Sequence, residues 1–301
     1  IVPVLGDILD PIKLAKTINK YKVDTIYHAA AYKHVPMVEE NIISGVQNNI
    51  LGTANLVDVC LGSSVQNLIL ISTDKAVRPT SIMGATKRIS ELIIQSANLG
   101  ASKTIFSAVR FGNVLGSSGS VIPRFKEQIQ AGGPVTVTHP EITRFFMTIK
   151  EAAQLVIQAG AMSKGGEIYL LDMGSSVKIL DLAKTMINLA GHSYHVSGQN
   201  KLSSDSIEIA FTGLRPGEKL FEELLVDKSS LNSEHPSIFL ENKFVIDPEL
   251  LKKYLTKIEK ACAELNEEKV ISILKEMPIE YSRDVELDTK SLDGKRSKKE
   301  N

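Results

Sequence analysis

Short apolar runs alternate with amphipathic segments along the first part of the chain. The runs have the length and composition of buried strands, and the segments between them repeat apolar residues at helical spacing. The predicted strands cover residues 1–5, 23–28, 67–72 and 104–110. The predicted helices cover residues 11–21, 36–62 and 81–97. Parallel neighbouring strands need crossover connections of this length, so the alternation predicts a doubly wound parallel α/β sheet covered on both faces.

The second half of the chain has a different pattern. Strands are predicted at residues 167–172 and 207–211 with a helix at 179–190 between them, which indicates a smaller α+β unit. Amphipathic helices rich in Lys and Glu are predicted within residues 248–275. The last residues, 291–301, are charged and poor in apolar side chains, so we expect a disordered tail.

Composition and charge narrow the functions open to this chain. Its 301 residues contain 35 basic and 35 acidic side chains, so no overall field attracts nucleic acid or anionic lipid. Cys60 and Cys262 lie far apart in segments with helical spacing, which argues against a disulfide framework and fits a reducing cytoplasm. No apolar run reaches the length of a membrane span, and no secretory signal pattern is present. The six histidines show no metal-ligand spacing, so no metal is expected.

Ligands of doubly wound sheets bind at the carboxyl ends of the strands, where a dinucleotide usually lies on a G-x-G-x-x-G turn. The start of the chain has no such turn. The glycine-bearing stretch GNVLGSSG at 112–119 follows a later strand and has no helix pattern directly behind it. We interpret it as a loop on the substrate side, with a cofactor loop as the alternative. We therefore expect that the chain lacks its first βαβ unit and binds a dinucleotide weakly or not at all.

Several separate motifs occur along the chain in a characteristic order. They are HAAAYKHVPMVE at 28–39, STDKAVRPTSIMGATK at 72–87, RFGNVLGSSGSVIP at 110–123, GGPVTVTHPEITRFFMTI at 132–149 and GLRPGEKLFEELL at 213–225. With Gly6 and Asp7, they resemble the extended short-chain dehydrogenases/reductases. Within that superfamily, they resemble the membrane-associated UDP-N-acetylglucosamine 4,6-dehydratases of polysaccharide biosynthesis, over roughly residues 1–226. The resemblance implies NAD as the cofactor and a UDP-sugar as the substrate.

The implied reaction oxidises C4 of the hexose, removes water across C5 and C6, and returns the hydride to C6. The resemblance makes Asp74 the acid that protonates the departing C6 hydroxyl and Lys75 the base at C5. Burial would shift the pKa of each group in the needed direction, whereas an ion pair between them would oppose those shifts. The sequence does not decide between these effects, and a solvated loop pair is the alternative interpretation.

The chain departs from the superfamily pattern at position 83. Met83 stands where most members have Tyr, four residues before Lys87, and a thioether has no proton to exchange. The long, membrane-anchored branch of the dehydratases has the same Met, although a Met that only fills a gap in the core is the alternative. Thr73 is the nearest candidate to relay the C4 hydroxyl proton, unless it only caps a backbone group. Lys87 is expected to grip the nicotinamide ribose.

The resemblance also implies residues that bind the cofactor. Asp7 would bind the adenine amino group, and Ile8 would pack on the adenine ring. The small side chains of Ala29, Ala30 and Ala31 would let the backbone approach the dinucleotide closely. An alanine run fits tight packing between helix and sheet equally well.

Other residues are expected to bind the substrate. Asn113 matches a residue that lies close to the sugar in the resembling family. Arg144 and Arg215 would bind the diphosphate through their planar guanidinium groups, with surface ion pairs as the alternative. Glu218 would orient this loop, and Lys219 is expected to be solvated.

The resemblance finally implies how the chain is organised and where it works. Residues 1–119 and about 141–162 would form the NAD-binding domain, 120–140 and 163–247 the substrate-binding domain, and 248–290 the C-terminal helices. Transmembrane helices would lie upstream of the chain, with the catalytic part in the cytoplasm and the subunits in homo-oligomers. A nucleotide-sugar 4-epimerase or a 5-epimerising dehydratase is the alternative enzyme. The Asp74–Lys75 pair favours elimination over simple epimerisation, because epimerisation needs no acid at C6. A non-catalytic scaffold of glycan assembly is the alternative from another class.

Overall fold

The computed structural model describes residues 1–100, 103–199, 203, 205–223, 231–241 and 244–283. The strands are β1 (Thr25–His28), β2 (Asn67–Thr73), β3 (Ile105–Phe111), β4 (Asn113–Val114), β5 (Val135–Val137), β6 (Thr143–Arg144), β7 (Phe146–Met147), β8 (Ile168–Leu171), β9 (Val177–Lys178), β10 (Ser193–Val196), β11 (Ser206–Phe211), β12 (Leu231–Asn232) and β13 (Ile238–Leu240). The helices are α1 (Pro11–Tyr21), α2 (Val35–Glu40), α3 (Ile42–Val46), α4 (Gly52–Leu61), α5 (Ile82–Ala97), α6 (Val121–Gln130), α7 (Ile149–Met162), α8 (Ile179–Leu189), α9 (Pro248–Ala263) and α10 (Glu267–Glu276). The predicted tail, 291–301, lies outside the described residues.

The main sheet has the strand order β1-β2-β3-β8-β13-β12. The first four strands are parallel, and the last two add an antiparallel edge. Successive residues of β2 point to opposite faces: Leu68 and Leu70 pack toward α5 and its neighbours, while Ile69 packs toward α7. Both faces are therefore covered by helices, which confirms the predicted α/β fold.

The larger core includes residues from the N-terminal helices and from the two last helices. Cys60 on α4 and Cys262 on α9 are both buried in this core. A smaller parallel sheet, β10-β11-β5, packs against α6 and α8 around its own apolar cluster. Within the described ranges, no helix is both long and apolar enough to cross a bilayer.

Residues 1–5 do not form the predicted strand. They pair with no strand among the described residues, and all five side chains are exposed. An apolar run becomes a strand only where a neighbouring strand accepts and donates its backbone hydrogen bonds. The sheet instead has β1 as its edge on this side.

Two helix predictions also need correction. The helix predicted over 36–62 is divided, because Asn41 leaves the helical backbone conformation and a π-helical turn occupies Gln47–Leu51 before α4. The expectation that no helix follows the loop at 112–119 is wrong, since α6 begins at Val121. The apolar residues of α6 recur at helical spacing, at positions 121, 122, 125 and 129, and Phe125 and Ile129 are buried, so the helical pattern is present in the sequence directly behind the loop.

A buried ion-pair network lies beside the carboxyl ends of β2 and β3. Arg110 is fully buried and contacts Glu91 of α5 at 2.7 Å and Glu241, which follows β13, at 2.8 Å. Arg88 contacts Glu91 at 3.0 Å, and the Ser72 hydroxyl donates to the same carboxylate at 2.6 Å. Burial alone would raise the pKa of Glu91, but the two guanidinium groups outweigh burial and hold this pKa below its usual value.

We predict that Glu91→Gln lowers the free energy of unfolding by about 3–5 kcal/mol, because it leaves two guanidinium groups buried without their shared carboxylate. Urea unfolding measures the loss. Glu264→Gln is the matched control, because Glu264 pairs with Lys269 at 3.0 Å on the exposed surface, where ion pairs contribute little. An equal change in the two variants would show that the buried network has no special role in stability.

Candidate active site

The carboxyl ends of β2 and β3, and the loop after β1, enclose a cavity of about 350 Å³. The predicted site residues that line it are Ala29, Ala31, Thr73, Lys75, Met83, Lys87 and Asn113. Parallel strands end on one edge of a sheet, which is why residues from three distant motifs meet here. Ala30 and the predicted acid Asp74 are not among the lining residues.

Three consecutive residues at the end of β2 form a hydrogen-bonded chain. Asp74 begins a short 3₁₀ turn and is fully buried. Its Oδ1 atom accepts from the Thr73 hydroxyl at 2.8 Å and from the Lys75 ammonium at 2.9 Å. Its Oδ2 atom is buried without a hydrogen bond to any described residue. The predicted acid and base are therefore in direct contact.

The ion pair decides the balance that the sequence leaves open for Lys75. Burial lowers the pKa of Lys75, whereas the carboxylates of Asp74 and Glu222 raise it, and the nearby Arg144 lowers it. The net pKa of Lys75 lies above its usual value, so this side chain is an ammonium group at neutral pH. A base at C5 requires the neutral amine, so Lys75 must lose a proton before it can act as one.

Helix α5 presents its first turns to the cavity. Ser81 caps this helix by accepting a hydrogen bond from Gly84 N at 3.1 Å. Gly84 lies so close to the backbone carbonyl of Lys75 that a Cβ at position 84 would collide with it. One turn later, Lys87 donates to the carbonyl of Ile71 at 2.5 Å, and burial lowers the pKa of Lys87 to about 8 against the opposing effect of Glu91.

Met83 is both a core residue and a cavity residue. It is almost completely buried among the apolar side chains of the larger core and also lines the cavity one turn before Lys87. The two interpretations of this position are compatible, because one part of the flexible side chain can pack while another faces the ligand.

A second cavity of about 200 Å³ adjoins the first and shares Asn113, Gly119 and Ser120 with it. Arg144, Arg215 and Glu218 line the second cavity. The Nη2 atom of Arg144 lies 3.2 Å from Glu218 Oε1, and Glu218 Oε2 accepts from the backbone N–H of Arg215, also at 3.2 Å. Glu218 therefore connects both arginines.

Neither cavity is lined by Asp7, Ile8 or Lys219. Asp7 is exposed and accepts from Leu9 N at 2.9 Å, and Ile8 packs against Gly52 of α4, so neither lines the two cavities. Lys219 was expected to be solvated, but its side chain is only 11% exposed and donates to the Val77 carbonyl at 2.8 Å. That contact holds the 213–223 loop against the segment that follows Lys75.

Sequence reasoning missed Glu222. Its side chain is 2% exposed and lies 3.5 Å from Lys75 Nζ and 3.7 Å from Arg144 Nε. The sequence contains only a weak indication that Glu222 belongs to the site, namely its place inside the GLRPGEKLFEELL motif beside the apolar Phe221.

Comparison with known proteins identifies the family. A family model described as "Polysaccharide biosynthesis protein" matches residues 1–243. The chain belongs to this family. The capsular polysaccharide biosynthesis protein CapD of Staphylococcus aureus is 54% identical over 235 residues, which cover 78% of this chain and 37% of CapD. The chain therefore spans little more than a third of the length of that relative.

Another family relative carries a more specific name. A UDP-N-acetylglucosamine 4,6-dehydratase (inverting) of Campylobacter jejuni is 33% identical over 249 residues, which cover 82% of this chain and 67% of that protein. The family membership confirms the resemblance found in the sequence motifs.

Solved structures confirm the fold. The structure of Pen from Bacillus thuringiensis has a TM-score of 0.70 and 33% identity, covering 84% of this chain and 81% of that one. DesIV, a dTDP-glucose 4,6-dehydratase from Streptomyces venezuelae solved with NAD bound, has a TM-score of 0.62 and 22% identity, covering 73% and 69%. At that identity, the likeness to DesIV supports the Rossmann-type fold alone.

We predict that Gly84→Ala lowers the free energy of unfolding by about 1–3 kcal/mol, since the added methyl group must push α5 away from the Lys75 carbonyl. Chemical denaturation measures this. Gly62→Ala is the control, because a Cβ at Gly62 would meet its nearest neighbour, the Asp58 carbonyl oxygen, only at 3.8 Å. If both variants unfold at the same denaturant concentration, the close approach at Gly84 is not required.

Proposed function

We propose that the protein is an NAD-dependent dehydratase that converts UDP-N-acetylglucosamine, or a close analogue, to a UDP-4-keto-6-deoxy sugar. The observation that carries this proposal is the hydrogen-bonded chain Thr73–Asp74–Lys75 beside a cavity at the end of β2. It combines a hydroxyl, a carboxyl group and an amine, which are the groups that an oxidation followed by an elimination requires. The 33% identity to a 4,6-dehydratase over most of the chain supports the same assignment.

The residues around the cavity fit the nicotinamide end of the cofactor. Ala29 and Ala31 leave room for a flat ring, and the buried Lys87 ammonium has protons left for ribose hydroxyls after its bond to Ile71 O. When bound, NAD+ supplies the acceptor for the C4 hydride. Asp7 and Ile8 are proposed to bind the adenine end of the cofactor, which would lie beyond this cavity.

Thr73 and Asp74 are proposed to move the proton of the C4 hydroxyl. The Thr73 hydroxyl donates to Asp74 Oδ1 and accepts from the backbone N–H of Lys75 at 3.4 Å, which leaves one lone pair able to accept a proton from the sugar. Asp74 receives this proton and later delivers it to the departing C6 hydroxyl, which leaves as water. The thioether of Met83 takes no part in the transfer and shapes the apolar wall of the cavity.

Lys75 is proposed to remove the proton from C5, and the same side chain returns it to C5 when the hydride reaches C6. The amine is neutral before and after this cycle, so the proton count closes with one water released. Since the pKa of Lys75 is raised, kcat/KM should increase with pH as the ammonium group is lost.

The nucleotide is proposed to lie in the second cavity. Arg144 and Arg215 would bind the diphosphate, with Glu218 fixing the distance between them. Asn113 lies at the wall shared by the two cavities, where the sugar would pass from one to the other.

We further propose that the chain is divided into NAD-binding and substrate-binding parts, as the sequence suggests. It would be held at the membrane by a region outside this chain and would work in the cytoplasm as a homo-oligomer. A nucleotide-sugar 4-epimerase is the second candidate, because an epimerase needs no base at C5 and Lys75 is held protonated by its neighbours.

The decisive test is incubation of the full-length protein with UDP-N-acetylglucosamine, followed by NMR of the products. A 4-keto-6-deoxy sugar supports the proposal. A sugar that is only inverted at C4 indicates the epimerase, and an unchanged substrate rejects both activities.

We predict that Lys75→Met reduces kcat for dehydration at least ~100-fold, because it removes the base at C5. Product NMR measures turnover, and circular dichroism checks the fold. Lys178→Met serves as a control, because Lys178 also pairs with a carboxylate, Glu141, at 2.8 Å, but on the exposed surface. Turnover retained in Lys75→Met would remove Lys75 from its assigned role.

We also predict that Thr73→Val slows turnover about 100-fold with little change in KM, because valine preserves the shape of threonine but cannot relay a proton. Initial rates across a series of substrate concentrations separate kcat from KM. A Thr73→Val enzyme with unchanged kcat would reject the relay.

A further inference from the structure

Glu222 is a buried carboxylate that the proposed reaction has not yet used. A single oxygen, Oε1, lies between two cations, 3.5 Å from Lys75 Nζ and 3.7 Å from Arg144 Nε. The other oxygen, Oε2, is buried and has no hydrogen-bond partner among the described residues. A buried carboxylate is costly unless it is paired, so this position calls for an explanation.

The neighbouring acid has a different environment. Glu223 is 41% exposed and contacts Arg78 and Lys219, both away from the first cavity. Of these two adjacent glutamates, one is buried beside Lys75 and Arg144 and the other is exposed to solvent. Burial is therefore specific to Glu222, because the next residue along the chain is exposed.

Glu222 also contacts one residue from each cavity. Lys75 lines the first, where the sugar is proposed to react, and Arg144 lines the second, where the diphosphate is proposed to bind. The charged groups that face Lys75 are Asp74 from its own turn, Glu222 from the 213–223 loop and Arg144 from β6. Asp74 already accepts two hydrogen bonds, one of them from Thr73.

We propose that Glu222 is a positioning residue, which holds Lys75 at the end of β2, links it to Arg144, and by its charge sets the pH at which Lys75 becomes a base. This inference rests on the proposed function, because it assigns Lys75 the role of the base. A carboxylate at this distance stabilises the ammonium form, and Arg144 limits that effect by competing for the same oxygen. The raised pKa of Lys75 agrees with this geometry.

Removal of a charge beside Lys75 should shift the pH at which this side chain becomes a base. The neutral amine is the active form, so kcat/KM increases as pH rises through the pKa of Lys75. Glu222→Gln removes a negative charge next to the ammonium group and should move this increase to lower pH by about one unit or more. Arg144→Gln removes a positive charge and should move the pKa of Lys75 in the opposite direction.

The experiment measures Lys75 in two ways in the full-length protein. The first is the pH profile of kcat/KM with UDP-N-acetylglucosamine for the wild type, Glu222→Gln and the matched control Glu223→Gln. The second is competitive acetylation by acetic anhydride across a pH series, with the extent of modification at Lys75 measured by peptide mass spectrometry. The acetylation series needs no turnover, and it includes Arg144→Gln.

The expected result is a lower pKa of Lys75 in Glu222→Gln, a higher one in Arg144→Gln, and no shift in Glu223→Gln. A loss of kcat in Glu222→Gln at every pH without a shift of the profile would indicate a merely structural role and overturn the proposal. A shift of equal size in Glu223→Gln would also overturn it. If Glu222→Gln does not fold, an unchanged pKa of Lys75 in Arg144→Gln overturns the link between these residues. A wild type without turnover rejects the proposed function, while the acetylation series still tests Glu222.

Discussion

The carboxyl group of Asp74 is fully buried, and burial of a carboxyl group is costly unless a cation and hydrogen-bond donors lie beside it. Lys75 and Thr73 provide both through contacts of 2.9 and 2.8 Å to the same oxygen. The turn that carries these residues is fixed by α5, whose Gly84 allows the helix to reach the Lys75 carbonyl. The identity of the residue at position 84 thus constrains the geometry of the turn that carries Asp74 and Lys75.

Buried ion pairs also stabilise this edge of the sheet. Glu91 binds Ser72, the residue before Thr73, and also holds Arg110 of the next strand. Strands β2 and β3 therefore share one carboxylate close to the cavity, and Glu241 extends the network to the antiparallel edge. Such a network gives the strand ends little freedom, which suits the proton transfer proposed for this site.

The sequence predicts the repeated α/β pattern well because both faces of the sheet are buried and the periodicity is strong. The helix Pro11–Tyr21 has the bounds that its spacing and Pro11 indicate. Prediction fails where local pattern is not the deciding factor: residues 1–5 are apolar but have no strand beside them among the described residues. In the site, motifs identify Asp74 and Lys75, but Glu222 depends on a contact across about 150 residues of chain, which no spacing rule reveals.

The two cysteines offer a way to follow opening of the larger core. Burial raises the pKa of Cys60 to about 12 and that of Cys262 to about 11, so both sulfurs remain thiols under physiological conditions. The thiolate is the form that attacks alkylating and oxidising reagents. Alkylation at either sulfur thus requires α4 or α9 to move away from the larger core first, and its rate reports how often that part of the molecule opens.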